Sequence, residues 1–311
     1  MKTQFQDSKI PLFDLHCDTL SEIYKKKTDL SDISLHISLE KASGFSPYIQ
    51  IGAIWSDYRY DNDTAYSFYK KCLNYINKQK IPLTTVLPTS ALPCFVLAIE
   101  DARLLNNDLN RLYSLYYDGV RVITLNWRGN SCIGGGWDTD YGLSDFGFNV
   151  VKACYEKGIT VDLSHSSLLT QKDVLNLAVK LGFTPIFSHS NSYYVCKHNR
   201  NLKDEIFKEI VSLGGIVGIS LCPEHLDNIK QADFYSIIKH VHHYLHLNGE
   251  RNISLGCDFD GIASLPTGFK SIKDLESLYS LFLIEFGPKI TNKIFFYNAY
   301  SFFEKHLKGG R

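Results

Sequence analysis

The feature that most restricts the fold is a set of eight short apolar, β-branched runs, near residues 12–16, 48–54, 94–99, 120–126, 159–163, 185–188, 215–221 and 253–257. Most are separated by segments of helical periodicity. One example is Phe148, Val151, Cys154 and Tyr155 before Gly158, a residue suited to the left-handed turn that ends a helix. Strands alternating with helices pair in parallel through right-handed crossovers. The runs are continuous rather than alternating, as in Ile49 to Ile54 and Ile216 to Ile219, the pattern of strands covered on both faces. Eight of them predict an α/β fold of the (β/α)8 TIM-barrel type. A doubly wound open sheet would read similarly, but no GxGxxG turn follows the first run to support a dinucleotide site. At 311 residues, a single barrel domain over residues 1–311 is expected. The one glycine run, Gly134-Gly135-Gly136, is expected to form a flexible loop after the fourth strand.

Charge narrows the partners. Lys plus Arg and Asp plus Glu are equal at 33 each, so no net field draws the chain to nucleic acid or an anionic membrane. A small, roughly neutral partner fits better. Met1 to Ile10 is polar and lacks the pattern of a signal peptide, and no stretch approaches the roughly 18 apolar residues of a membrane span. A cytoplasmic protein is the expectation. The eight cysteines show no CxxC spacing and several fall inside apolar runs such as 92–99, which points to reduced, mostly buried thiols.

Polar, ligand-type residues recur where the predicted strands end, the side on which barrel enzymes assemble their active sites. The first strand ends in His16-Cys17-Asp18, and alternation puts His16 and Asp18 on one side, within reach of one metal ion. Alone, the pair reads equally as a hydrogen-bonded strand-end couple. The third strand runs into Glu100, a carboxylate that needs a cation or a donor: a metal, or a salt bridge to Arg103 or Arg121. The fifth and sixth end in His165 and His189, a pair able to share a second ion, although either alone reads as a satisfied core residue. The eighth supplies Asp258, a candidate proton shuttle, and Asp260, expected to stabilise the turn. Five strand ends with metal-compatible groups are more than a structural barrel needs. Histidine and carboxylate without thiolate pairs suit a catalytic zinc or similar borderline ion. Cys17 and Cys257 alternate away and are expected to pack. A further cluster, His240, His242, His243 and His246, falls on a predicted helix and is expected at a partly solvated surface.

These residues resemble the renal (membrane) dipeptidase family of zinc peptidases, in its bacterial form, from about Leu12 to His306. The likeness rests on Asp14-Leu15-His16-Cys17-Asp18-Thr19, Ile99-Glu100, Asp162-Leu163-Ser164-His165, Ser188-His189-Ser190-Asn191, Asn199-Arg200-Asn201-Leu202 and Asp258-Phe259-Asp260-Gly261, in the family's order. It implies a dizinc dipeptidase of the amidohydrolase-like kind. His16 and Asp18 would bind one Zn2+ and His165 and His189 the other, with Glu100 and a water or hydroxide bridging them. Asp258 would move the proton, and Arg200 would hold the substrate's carboxylate. The resemblance further implies a small dipeptide substrate and a homodimer.

Three departures stand out. Trp127 occupies the place of a family histidine that is thought to stabilise the reaction intermediate, leaving Asn126, Asn130 or a zinc ion to cover that role, with Trp127 and Asn130 expected on the substrate side. Asp101 follows Glu100 where the family has glycine, and is read as capping the next helix. No counterpart to the signals and lipid anchors of secreted members is expected, in keeping with the cytoplasmic expectation. Barrel and metals alone leave lactam or N-acyl amino acid hydrolysis open, as well as a catalytically degenerate metal- or peptide-binding homologue.

Overall fold

The computed structural model describes residues 9–87, 93–229 and 231–307. The polar N-terminal stretch up to Ser8, and Leu92 at the start of the third apolar run, lie outside the described residues.

The strands are β1 (Ile10–Cys17), β2 (Phe45–Trp55), β3 (Leu83–Thr84), β4 (Cys94–Glu100), β5 (Val122–Thr124), β6 (Thr160–Asp162), β7 (Val217–Ile219) and β8 (Ile253–Leu255). They form one parallel sheet in the order β6-β5-β4-β2-β1-β8-β7, and β3 adds to the edge of β4. Parallel bridges Asp162 to Ile186 and Phe187 to Val217 join the two ends of that order. The segment 186–187 is therefore the missing stave, and the sheet closes into an eight-stave (β/α)8 barrel whose staves coincide with the eight apolar runs. The sixth run makes only isolated bridges, although periodicity reads it as a strand like the others.

The staves divide their side chains between two cores, and a register shift after Asp14 turns Cys17 to the outer one although Phe13 and Leu15 face inward. Phe13, Leu15, Ile51, Val96, Val122 and Ile186 meet inside the barrel, while Leu12, Cys17, Leu97, Ile123 and Leu255 join the outer core beneath the helices. Cys17 and Cys257 both belong to the outer core, on the packing side. The helix Asn298–His306 inserts Phe302 and Phe303 among the inner residues, with the Phe303 ring 5.3 Å from Phe13. This helix closes the end of the barrel where the strands begin and leaves the other end open. The helix Asp145–Lys157 runs as its periodicity predicts, from Ser144, which accepts a hydrogen bond from Gly147 N–H, to Gly158 at φ 70°. All eight cysteines are free thiols and six are buried.

Two expectations are corrected. Gly134, Gly135 and Gly136 are buried and each sits in a bridge, to Leu143, Asn130 and Ser166 respectively. A Cβ on Gly135 would lie 2.3 Å from the Tyr141 carbonyl oxygen, and one on Gly136 would lie 2.5 Å from Arg128 Cα. The run is glycine because backbones cross there at close range, which makes the loop packed rather than flexible. On the helix Phe234–His246, His242 and His243 are at or near the surface, paired with Glu285 and Asp204, but His240 is buried in the core. Its Nδ1 accepts from Ser192 N–H at 3.0 Å and its Nε2 donates to the Leu226 carbonyl at 3.0 Å.

Candidate metal centre

The open end of the barrel gathers the strand-end residues into one buried cluster. His16, on β1, points its Nε2 at Glu100 Oε2 (3.3 Å), Asp258 Oδ1 (3.8 Å) and Asp18 Oδ1 (3.9 Å). The other oxygen of Glu100, Oε1, faces His165 Nε2 at 2.9 Å and His189 Nε2 at 3.6 Å. Glu100 thus presents one oxygen to each of two groups, and ligand atoms of His16, Glu100 and His189 all lie within 4.8 Å of one another. The alternative partners are engaged elsewhere: Arg103 binds the Tyr60 and Asp57 carbonyls and Asp101, and Arg121 binds the Tyr116 and Val120 carbonyls.

Neighbouring groups hold these side chains in place. The Asp162 carboxylate accepts from Ser164 N–H, Ser188 N–H, Thr124 Oγ1 and Ser188 Oγ. Ser188 Oγ lies 2.7 Å from His189 Nδ1 and 2.6 Å from Asp162 Oδ2. With Ser188 donating to the carboxylate, it accepts the Nδ1 proton of His189, which leaves the Nε2 lone pair facing Glu100. Asp14 accepts from the backbone N–H of His16 and of Cys257, tying the ends of β1 and β8 together. Asp258 N–H donates to the His16 carbonyl, and Asp18 N–H to the Phe259 carbonyl. Instead of bonding within its own turn, as expected from the sequence, the Asp260 side chain accepts from Thr19 Oγ1 and from the backbone N–H of His36 and Ile37, and so anchors the loop over β1. His165, Asp258 and Asp260 have φ of 66°, 61° and 64°, a left-handed conformation that Asp and His tolerate better than most residues.

The electrostatics favour a cation. Burial opposes charge on His16, yet Glu100, Asp258 and Asp18 outweigh it and push the imidazole up to about 10. Glu100 is held below its usual range because His16 and His165 overcome the penalty of burial. Burial and the charge on Glu100 push Asp18 well up, and burial moves Asp258 to about 7 despite the attraction of His16. Burial and Arg200 bring His165 down to about 4, and burial and His16 bring His189 well down, so both rings are neutral, the ligand form. Their Nε2 atoms are 2.8 Å apart, where two lone pairs need a proton or a metal between them. His16 Nε2, Asp18 Oδ1 and Glu100 Oε1 are buried and make no hydrogen bond. Orphaned nitrogen and oxygen donors converging without thiolates fit catalytic zinc or a similar ion.

A cavity of about 570 Å³ opens above the cluster, lined by Asp18, Trp55, Glu100, Trp127, His165, Arg200, Cys222, His225 and Asp258 among others. Arg200 is a buried residue, 6% exposed, whose Nε and Nη2 make no hydrogen bond, so its guanidinium is no surface group. Trp127 lines the same cavity and stacks on His165 at 5.8 Å. Asn130 does not join them. It is exposed, bridged to Gly135, and lines a separate cavity of about 490 Å³ with Tyr58, Arg103 and Arg128. Asp101 turns from the cluster to cap the short helix Ala102–Leu105, accepting from Arg103 N–H, and burial raises its carboxyl to about 6. Trp55, Cys222 and His225 were not anticipated. Trp55 ends β2 and the other two follow β7, so the strand-end rule that located the ligands would have found them had it been extended beyond charged groups.

Barrel, buried cluster and open cavity together define a (β/α)8 barrel protein with a candidate metal centre at the open end. A family model described as membrane dipeptidase (peptidase family M19) matches residues 92–291, well over half of the chain. The chain belongs to that family of metallopeptidases. The fold is similar to that of a metallo peptidase from Rhodobacter sphaeroides liganded with a phosphinate mimic of the dipeptide L-Ala-D-Ala. The TM-score is 0.89 at 20% identity, over 96% of this chain and 100% of that one. It is also similar to dipeptidase AC, with TM-score 0.87 and 20% identity over 96% and 99% of the two chains. A third likeness is to the probable dipeptidase PvdM from Pseudomonas aeruginosa, with TM-score 0.79 and 15% identity over 97% and 95%. Among the described residues no helix is long and apolar enough to cross a membrane.

Proposed function

We propose that the chain is a dizinc dipeptidase, with His16 and Asp18 holding one ion, His165 and His189 the other, and Glu100 bridging them. The observation that carries this reading is the division of Glu100 between two groups of ligands, Oε2 towards His16 and Oε1 towards the His165–His189 pair. Two bound zinc ions would bring a shared water towards neutrality in pKa and polarise the scissile carbonyl, so no protein nucleophile is required. Asp258, which lines the cavity with its Oδ1 3.8 Å from His16 Nε2, is placed to take up the nucleophile's proton and pass it to the leaving amine. The Nε and Nη2 of Arg200, which make no hydrogen bond, offer a fork to the free C-terminal carboxylate of a short peptide. The candidate ligands and Asp258 come from stave ends of a single barrel and Arg200 from the loop after 186–187, which supports reading residues 1–311 as one domain.

Metal analysis and a panel of L,L and L,D dipeptides test the proposal. About two zinc equivalents per chain are expected, with hydrolysis lost on chelation and in His16→Ala. No zinc-dependent turnover of any dipeptide would overturn it, and hydrolysis of N-acyl amino acids or lactams instead would move the substrate class.

A further inference from the structure

Two tryptophans stand on either side of Glu100. Trp55 ends β2 and Trp127 lies just beyond β5, and β4, which carries Glu100, runs between these strands. Both indoles line the cavity, with ring centroids 5.4 Å apart. Trp127 is fixed by further contacts: it stacks on Tyr58 at 5.5 Å and 20°, and on His165 at 5.8 Å and 27°. The Arg128 guanidinium lies over both Tyr58 and Trp127, and Lys25 Nζ is 4.8 Å from the Trp55 ring. Rings held this way form a rigid apolar wall before any ligand arrives, which lowers the ordering cost of binding.

Stave order sets the direction of a substrate across this wall. Around the ring run β1, β2, β4, β5, β6, the segment 186–187, β7 and β8, so β2 and the segment 186–187 are four staves apart, on opposite sides of the opening. Arg200 belongs to the loop that follows 186–187, and Cys222 and His225 follow β7 beside it. A peptide whose carboxylate rests on Arg200 and whose amide bond lies over Glu100 therefore carries its N-terminal residue towards Trp55, passing Trp127, whose stave β5 lies two places from 186–187.

We propose that Trp127, together with Trp55, is a specificity-determining wall that selects dipeptides with a large, flat apolar N-terminal side chain. This inference rests on the dipeptidase reading above. A glycine at that position leaves the parts of the indoles that line the cavity wet, whereas an aromatic side chain covers them, and differences of that size in an apolar pocket change kcat/KM by about 10-fold or more.

The test compares Phe-Ala with Gly-Ala on the zinc-loaded full-length protein. The wild type is expected to favour Phe-Ala by about 10-fold or more in kcat/KM, and Trp127→Ala to bring that ratio close to one. Trp127→Phe, which keeps a flat ring, is expected to retain most of the preference. A purely structural role would lower both substrates together and leave the ratio in place. A wild-type ratio near one, or an unchanged ratio in Trp127→Ala, overturns the inference while the dipeptidase reading stands. Should Trp127→Ala fail to fold, Trp55→Ala is read against the same ratio. Zinc-loaded protein that cleaves neither these nor other dipeptides removes the dipeptidase reading, and this inference with it.

Discussion

At the scale of single residues, the centre depends on groups that carry no charge of their own. Gly261 follows Asp260 directly, and a Cβ there would lie 2.2 Å from Asp258 Oδ1 and 3.0 Å from Asp18 Oδ2. Gly261→Ala would force both carboxylates to move while leaving the hydrophobic core untouched. The expected outcome is a loss of at least about 10-fold in kcat/KM with little change in Tm, because displacements of about 1 Å at a reacting centre are that costly. A variant with normal kinetics would show that Asp258 needs no fixed position. Ser188 is a second case, since it alone links His189 Nδ1 to Asp162. Ser188→Ala frees the imidazole tautomer, and groups that orient a metal-binding histidine are worth about 10–100-fold in metal affinity. Competition with a chelator should show one of two zinc equivalents weakened by that factor, and two equivalents of unchanged affinity would assign Ser188 to packing alone. The candidate ligands were legible because charged residues at the ends of apolar strands are conspicuous in any sequence. Ser188 and Gly261 were visible only as neighbours in a motif, since their roles depend on distances to β1 and β6.

At the scale of elements, the staves were legible from continuous apolar runs, even where only three residues form the strand. Features set by long-range packing were not. Nothing local in Gly134-Gly135-Gly136 distinguishes a flexible tether from a backbone crossing, and nothing in a helix bearing four histidines says which one turns inward. His240 does so, and it gives the helix Phe234–His246 a measurable dependence on pH. Burial, and the nearby His243, push its imidazole down to about 4, and Ser192 N–H already uses the Nδ1 lone pair that a proton would need. In the unfolded chain the same group titrates near 6.5. Below that pH the unfolded state takes up a proton that the folded state refuses, so stability falls as pH drops from 6.5 towards 4 and is unaffected above 6.5. The full contribution of one such group is about 1.4 kcal/mol per pH unit within that window. Urea unfolding at pH 7 and pH 5 should show a smaller loss of stability in His240→Gln than in the wild type. Equal losses would mean that His240 opens to solvent before the rest of the fold.

At the scale of the whole molecule, the barrel separates what holds it together from what it does. The end where the strands begin is closed by the helix Asn298–His306, whose Phe302 and Phe303 complete the inner core, and the end where they finish carries the candidate ligands. Phe303 is fully buried and stacks on Phe13, a residue of the same strand that ends in His16. Removing that ring should cost about 3–5 kcal/mol, the range for a buried aromatic replaced by alanine. Zinc should stabilise the opposite end independently. A ligand that binds only the folded state adds about 4 kcal/mol at a thousand times its dissociation constant, and here it would also relieve the crowding of Asp18 and Asp258 against Glu100. Four unfolding measurements, on wild type and Phe303→Ala with and without chelator, bring the two ends into one comparison. Changes at sites without shared contacts add to within about 0.5 kcal/mol, so the chelator should cost both proteins the same. If it costs Phe303→Ala distinctly less, β1 is transmitting disorder from the plugged end to His16, and the metal centre depends on the packing beneath it as well as on its ligands.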